Sequence, residues 1–246
     1  MTYFSPTDYG MDTGPSAAAI VDLLLQWIKP ASVIDVGCGT GVFLEEFKKR
    51  GVGTVLGLDG EATGLVFGPG ESEFMVADLT QPLELDRGFD LALCLEVAEH
   101  LPESSANLLV NTLTDLAPLV LFSSAHPGQG GQGHINERWP VYWQRRFSQH
   151  GFVALDIVRG PLCDNPVVLD CYRRNAMLYV EFSRCASILA EADESGVADA
   201  FVLTHMTGVT TELEHQSWRI LILTLLRKLR RRFRRSVHRL TPTIGR

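Results

Sequence analysis

The sequence predicts an α/β protein with a doubly wound, mostly parallel sheet. Two observations carry this prediction. A β-branched run over 33–36 enters a turn in which glycines alternate at Gly37, Gly39 and Gly41, and an apolar pattern of helical period follows at once. Further short apolar runs then alternate with helical patterns as far as residue 182. A strand, a tight turn and a helix in repeated succession form the unit from which parallel sheets are built.

The individual elements follow from local signals. After the first strand, the apolar runs predict six further strands, at 54–58, 73–76, 89–95, 119–123, 152–158 and 176–182. Helical spacing predicts helices at 16–27, 42–50, 102–116 and 139–149, with Ser16 as the N-cap of the first and Pro102 at the start of the third. The glycine-rich segment 60–70 predicts only a short or irregular helix.

Length and composition indicate one well-buried domain with appendages. We divide the 246 residues into an N-terminal loop and helix at 1–30, a core at 31–183, a helical part at 184–216 and a basic tail at 217–246. Five cysteines without a Cys-x-x-Cys pair favour free thiols in a reducing compartment, and the first thirty residues contain no basic leader. These features lead us to expect a cytoplasmic protein.

Charge is divided unevenly along the chain. Residues 217–246 hold ten Lys or Arg and no acid, which leaves 12 basic and 29 acidic residues, a net charge of −17, in the rest. Apolar residues recur every three or four positions from Trp218 to Leu240, so the tail predicts a basic amphipathic helix. It suits an anionic membrane surface at the inner face of the membrane, nucleic-acid phosphates, a partner, or docking onto the acidic body, within one chain or in a homodimer.

Acidic residues stand at or near the ends of the next three predicted strands. Asp59 ends the second strand, 18 residues after Gly41, where a carboxylate can accept hydrogen bonds from both ribose hydroxyls of an adenosine. Asp78 follows the third strand and Glu96 ends the fourth. Because ligands of open α/β sheets lie outside the carboxyl ends of the strands, these acids belong to one candidate site.

This order of motifs resembles the class I S-adenosylmethionine-dependent methyltransferases, over about residues 31–183. Dinucleotide-binding dehydrogenases more usually carry Gly-x-Gly-x-x-Gly, whereas Gly37, Gly39 and Gly41 form Gly-x-Gly-x-Gly. The resemblance implies a seven-stranded Rossmann-like methyltransferase fold, with the last strand antiparallel between the fifth and sixth, and S-adenosylmethionine as cofactor. It places the cofactor's methionine half at Asp35, Gly37, Gly39 and Gly41, the ribose at Asp59, the adenine at Asp78 and Leu79, and the cofactor loop at Glu96.

Two loops carry side chains suited to catalysis. Glu96-Val-Ala-Glu99-His100 places a carboxylate beside an imidazole, a pair that suits a base or metal ligands. The longer loop after the fifth strand carries His134 close to the aromatic residues Trp139 and Trp143, which suits an acceptor pocket, although core packing also explains Trp143. We expect O-methylation of a small molecule or saccharide, with His100 or His134 as base assisted by Glu99. Support of the next helix explains His100 equally well.

Two alternatives remain. Small-RNA 2′-O-methyltransferases use a Glu-x-x-Glu-His loop and a later histidine to bind a divalent metal, a set that Glu96, Glu99, His100 and His134 would supply. Their histidine-rich stretch is not reproduced here, so we assign no metal and expect no nucleic-acid partner. The second alternative is a non-catalytic binding module that acts through the basic tail.

Overall fold

The computed structural model describes residues 13–60, 73–83 and 85–194. The predicted helical part at 184–216 lies mostly outside these ranges. The N-terminal loop, the glycine-rich segment and the basic tail lie almost or wholly outside them, so these stay predictions. Within the described ranges, none of the helices has both the length and the apolar character needed to cross a membrane.

The described residues build one seven-stranded sheet with the strand order β3-β2-β1-β4-β5-β7-β6. The strands are β1 Ser32–Val36, β2 Thr54–Asp59, β3 Glu73–Val76, β4 Leu91–Leu95, β5 Leu119–Ser123, β6 Phe152–Leu155 and β7 Met177–Glu181. Neighbours from β3 to β5 are parallel, and β7 is antiparallel to both β5 and β6. The predicted doubly wound, mostly parallel sheet is therefore confirmed.

Helices connect and flank these strands. They are α1 Gly14–Leu24, α2 Val42–Lys49, α3 Ala106–Leu116, α4 Pro140–Gln149, α5 Arg159–Leu162, α6 Asp170–Asn175 and α7 Cys185–Glu194, with short 3₁₀ turns at Ala98–His100, Glu103–Ser105 and Phe182–Arg184. The strand order reverses between β1 and β4, so the loops after these strands diverge and open a crevice at the carboxyl edge of the sheet.

Two predicted helix starts are wrong. Ser16 is not an N-cap, because α1 already begins at Gly14 with a proline in its first turn, a position where proline costs no hydrogen bond. Buried Ser16 instead accepts a hydrogen bond from the amide of Leu169 at 2.9 Å, a partner 153 residues away. Pro102 is extended rather than helical, and α3 begins four residues later at Ala106.

An aromatic cluster fills one side of the sheet. Phe147 on α4 is fully buried and stacks on Tyr179 of β7, with ring centroids 3.9 Å apart. Trp143, one turn earlier, is buried against Phe122 of β5, with a centroid distance of 5.0 Å. Trp139 is 58% exposed, so core packing explains Trp143 and not Trp139. The cluster fixes α4, and with it the end of the loop that follows β5.

Truncation of Phe147 tests this packing. Phe147→Ala should lower the free energy of unfolding by about 3 to 5 kcal/mol, because it removes a buried ring and leaves a cavity. Arg145→Ala, an exposed position on the same helix, should change it by less than about 0.5 kcal/mol. Urea unfolding followed by circular dichroism measures both. Equal, small losses in the two variants would contradict the assignment of Phe147 to the core.

Candidate active site

The glycine turn after β1 is held against the end of β2 and against the loop after β4. The amides of Gly37 and Cys38 donate to the carbonyl of Leu58 at 2.7 and 3.0 Å. Gly37 has φ +83°, and a Cβ there would lie 2.4 Å from a methyl carbon of Val97. Only glycine fits this position, because the backbone is left-handed and the neighbouring loop leaves no room for a side chain.

Asp59 lies at the edge of this turn with its carboxylate fixed by two amides. One oxygen accepts from the amide of Gly39 at 2.7 Å, and the other accepts from the amide of Gly60 at 2.7 Å. Each carboxylate oxygen has a second lone pair, so the group can still accept hydrogen bonds from a ligand. Asp35 is buried nearby, and its burial together with the negative charge of Asp59 raises its pKa to about 7.

A cavity of about 1090 Å³ opens beside these groups. Nearly all of the site residues predicted from the sequence line this cavity. They are Asp35, Gly37, Gly39, Asp59, Asp78, Leu79, Glu96, Glu99, His100 and His134. Gly41 does not line it, and instead precedes α2 with φ +77°. Asp78 lines the cavity and also accepts hydrogen bonds from the amide and hydroxyl of Thr80 at 2.9 and 2.7 Å, the turn role that sequence reasoning kept as an alternative.

Glu96 adopts a left-handed backbone with φ +54°, which is uncommon for a residue with a side chain. Its carboxylate accepts hydrogen bonds from Gln129 Nε2 and Asn175 Nδ2, both at 3.1 Å. Asn175 Nδ2 also donates to Gln129 Oε1 at 2.9 Å. Sequence reasoning missed Asn175, because the residue lies 79 positions from Glu96 and nothing local marks it. The three side chains join the loops after β4 and β5 to the end of α6.

The loops after β4 and β5 are joined by backbone hydrogen bonds as well. The amides of Ile135 and Asn136 both donate to the carbonyl of Glu99, at 2.8 and 3.0 Å. The buried side-chain amide of Asn136 donates to the carbonyl of Ala98 at 3.4 Å. This junction holds the Glu99-His100 pair next to His134.

The imidazoles of His100 and His134 meet edge to face, with ring centroids 4.9 Å apart. His100 Nδ1 lies 3.3 Å from the carbonyl oxygen of Gly133. Since a carbonyl only accepts, Nδ1 carries the proton in the neutral ring and Nε2 has the lone pair. Burial lowers the pKa of His100 below its ordinary value, so this ring is neutral near pH 7.

Glu99 is fully buried beside the two imidazoles. Burial and the negative charge of Glu96 raise its pKa well above the ordinary carboxyl value. Ligand atoms of Glu99, His100 and His134 lie within 4.8 Å of one another. A carboxylate and two imidazoles suit a divalent cation, so these residues fit a metal although sequence reasoning assigned none.

Asp35 gives the site a pH-dependent stability. A carboxyl whose pKa rises from 3.8 to about 7 on folding binds its proton more tightly in the folded state, so stability falls as pH rises between these values. Asp35→Asn removes this titration. The parent chain loses stability over this range and the variant does not. We therefore expect the difference in unfolding free energy between Asp35→Asn and the parent chain to shift by roughly 2 kcal/mol in favour of the variant from pH 5 to pH 8. Urea unfolding without ligand measures it, and Asp115→Asn on the exposed face of α3 is the control. A difference independent of pH would contradict the burial of an ionisable Asp35.

Comparisons with known proteins identify the family and the fold. Residues 13–154 match a family model described as a methyltransferase domain. The ubiquinone biosynthesis O-methyltransferase of Pseudomonas fluorescens (strain SBW25) is 37% identical over 82 residues, which cover 30% of this chain and 35% of that enzyme. The match therefore spans about a third of that enzyme's length.

Solved structures share the fold. CalS10, an S-adenosylmethionine-bound amino pentose methyltransferase from Micromonospora echinaspora, aligns with TM-score 0.54 and 15% identity over 74% of this chain and 98% of its own. Streptomyces venezuelae DesVI aligns with TM-score 0.55 and 15% identity over 71% and 94%. The methyltransferase domain of bacterial CtHen1-C aligns with TM-score 0.52 and 16% identity over 69% and 98%.

The family model covers more than half of the chain, and it includes the glycine turn, Asp59 and the loop after β4. The protein therefore belongs to the methyltransferase-domain family.

Proposed function

We propose that this enzyme methylates a hydroxyl oxygen of a small molecule or saccharide, and that His100 or His134 removes the proton from that hydroxyl. The observation that carries the proposal is the pair of imidazoles, 4.9 Å apart, at the wall of the cavity that also contains Asp59. The match to an O-methyltransferase over part of its length supports oxygen as the acceptor atom, and the structural likeness to an amino pentose methyltransferase is compatible with a saccharide.

The hydrogen-bonding groups at one end of the cavity support its assignment to the cofactor. Bound S-adenosylmethionine supplies an electrophilic methyl group on a sulfonium. In this proposal, Asp59 accepts from the ribose hydroxyls, Asp78 and Leu79 flank the adenine, and Gly37 and Gly39 let the backbone approach the methionine part. The carboxyls of Asp35 and Glu96 make this end acidic, which suits a cationic ligand.

Proton removal falls to an imidazole rather than to Glu99. Because burial lowers the pKa of His100, its neutral ring can accept a proton near pH 7. Glu99 has a raised pKa and retains its proton near neutral pH, so it does not act as the base in this proposal. Methyl transfer is an in-line displacement, and most of its acceleration comes from holding the acceptor oxygen against the methyl donor.

A second candidate function is metal-dependent 2′-O-methylation of RNA. The specific observation in its favour is the group of Glu99, His100 and His134, whose ligand atoms lie within 4.8 Å of one another. In this version Glu99, His100 and His134 would hold the cation, which would favour the ionised form of the carboxylate and would supply Lewis-acid polarisation of the acceptor hydroxyl. Glu96, which the RNA enzymes' motif would also use, is engaged by Gln129 and Asn175. That engagement favours the metal-independent small-molecule reaction.

Loss of the Asp59 carboxylate tests the cofactor assignment. Asp59→Ala should weaken binding of S-adenosylhomocysteine by about 10- to 100-fold, because charged hydrogen bonds to the ribose are lost. Asp115→Ala removes the same charge far from the cavity and should bind as the parent does. Isothermal titration calorimetry measures both. Unchanged affinity in Asp59→Ala would overturn the assignment of the ribose to this residue.

The histidine pair is tested by turnover of radiolabelled S-adenosylmethionine against phenols, catechols, sugar nucleotides and a short RNA. With a hydroxyl compound that the parent enzyme methylates, one of the two variants His100→Ala and His134→Ala should lower kcat by about 100-fold or more, namely the one that removes the base. That variant should retain its affinity for S-adenosylhomocysteine. With EDTA present, the small-molecule reaction should continue at the same rate. Full turnover in both variants would contradict the base assignment, and RNA methylation that EDTA abolishes would favour the second candidate.

A further inference from the structure

The side chain of Glu137 gathers three donors from the loop that precedes it. One oxygen accepts from the amide of Gly128 at 2.8 Å, and the other accepts from the amide of Gly130 at 2.7 Å. His134 Nδ1 lies 3.0 Å from that second oxygen. The loop conformation and the orientation of the imidazole therefore depend on one carboxylate.

These contacts decide where the His134 proton lies. Both oxygens of Glu137 accept hydrogen bonds from backbone amides, an arrangement that suits the ionised carboxylate. An ionised carboxylate only accepts, and the proton in the 3.0 Å contact must therefore belong to Nδ1. In the neutral ring, Nε2 is then the nitrogen with the lone pair.

The backbone of Gly131 packs closely against the imidazole of His134. A Cβ at this glycine would lie 2.3 Å from His134 Nε2, so no other residue fits without moving the imidazole. The His134 side chain is only 12% exposed, although it lies on a glycine-rich loop. The ring is thus packed on one side and hydrogen-bonded through Nδ1.

We propose that Glu137 is a positioning residue, which holds His134 in the Nδ1–H tautomer so that Nε2 is available to take a proton. The tautomer follows from the contacts of Glu137 alone. Its consequence for turnover rests on the proposed function, in which one of the two imidazoles is the base. The carbonyl of Gly133 favours the same tautomer of His100, so Nε2 is the acceptor nitrogen in both rings.

Histidine-labelled protein and long-range ¹⁵N–¹H correlation spectra test the tautomer directly. The His134 resonances are assigned by their absence in His134→Gln. With the imidazole neutral, the parent chain should show Nδ1–H. Glu137→Ala should shift the population toward Nε2–H, the form that an imidazole without an Nδ1 acceptor favours in water. Glu137→Gln still offers an oxygen and should retain Nδ1–H, and Asp164→Ala, an exposed acid outside the cavity, is the control.

Activity then separates this inference from the proposed function. If His134 is the base, Glu137→Ala should lower kcat by about 10- to 100-fold with S-adenosylhomocysteine affinity unchanged, and Glu137→Gln should restore most of it. A lost tautomer with unchanged kcat supports the positioning role and contradicts His134 as the base. An Nε2–H signal in the parent chain, or Nδ1–H retained in a folded Glu137→Ala, overturns the inference whatever the turnover.

Discussion

The carbonyl of Glu99 accepts hydrogen bonds from the amides of Ile135 and Asn136, and the arrangement of the site depends on this junction. Parallel neighbours β4 and β5 end side by side at the carboxyl edge of the sheet, but their loops are long enough to diverge. Two amides on one carbonyl prevent that divergence. As a result, His100 lies against the carbonyl of Gly133, 33 positions away in the sequence, and meets His134 edge to face.

The site contains buried carboxyl groups whose ionised forms are unfavourable in a region that excludes solvent. Burial raises the pKa of Asp35 and of Glu99, which means that each carboxyl gives up its proton only at a cost in free energy. A cationic ligand lowers that cost by placing positive charge beside the carboxylates. The sulfonium of S-adenosylmethionine is such a ligand, so the electrostatics of the apo site and the charge of the cofactor are complementary.

Local sequence signals were sufficient for the sheet and for most of the cavity. The strands Glu73–Val76 and Leu119–Ser123 have the bounds that apolar runs and turn residues predict, because both signals act within a few residues. The contacts that complete the site are of another kind. Asn175 reaches Glu96 across 79 positions, and Glu137 binds loop amides whose directions depend on left-handed glycines. Neither contact produces a periodic pattern in the sequence, so neither could be predicted before the folded structure was known.

A crystal structure of the complex with S-adenosylhomocysteine tests most directly whether the cavity is organised as a cofactor site facing a histidine base. We expect the ribose hydroxyls to contact Asp59 and the sulfur to face the pair of His100 and His134, with space for an acceptor hydroxyl between the sulfur and an imidazole Nε2. A sulfur that faces away from both imidazoles, or a ribose that makes no contact with Asp59, would contradict this organisation.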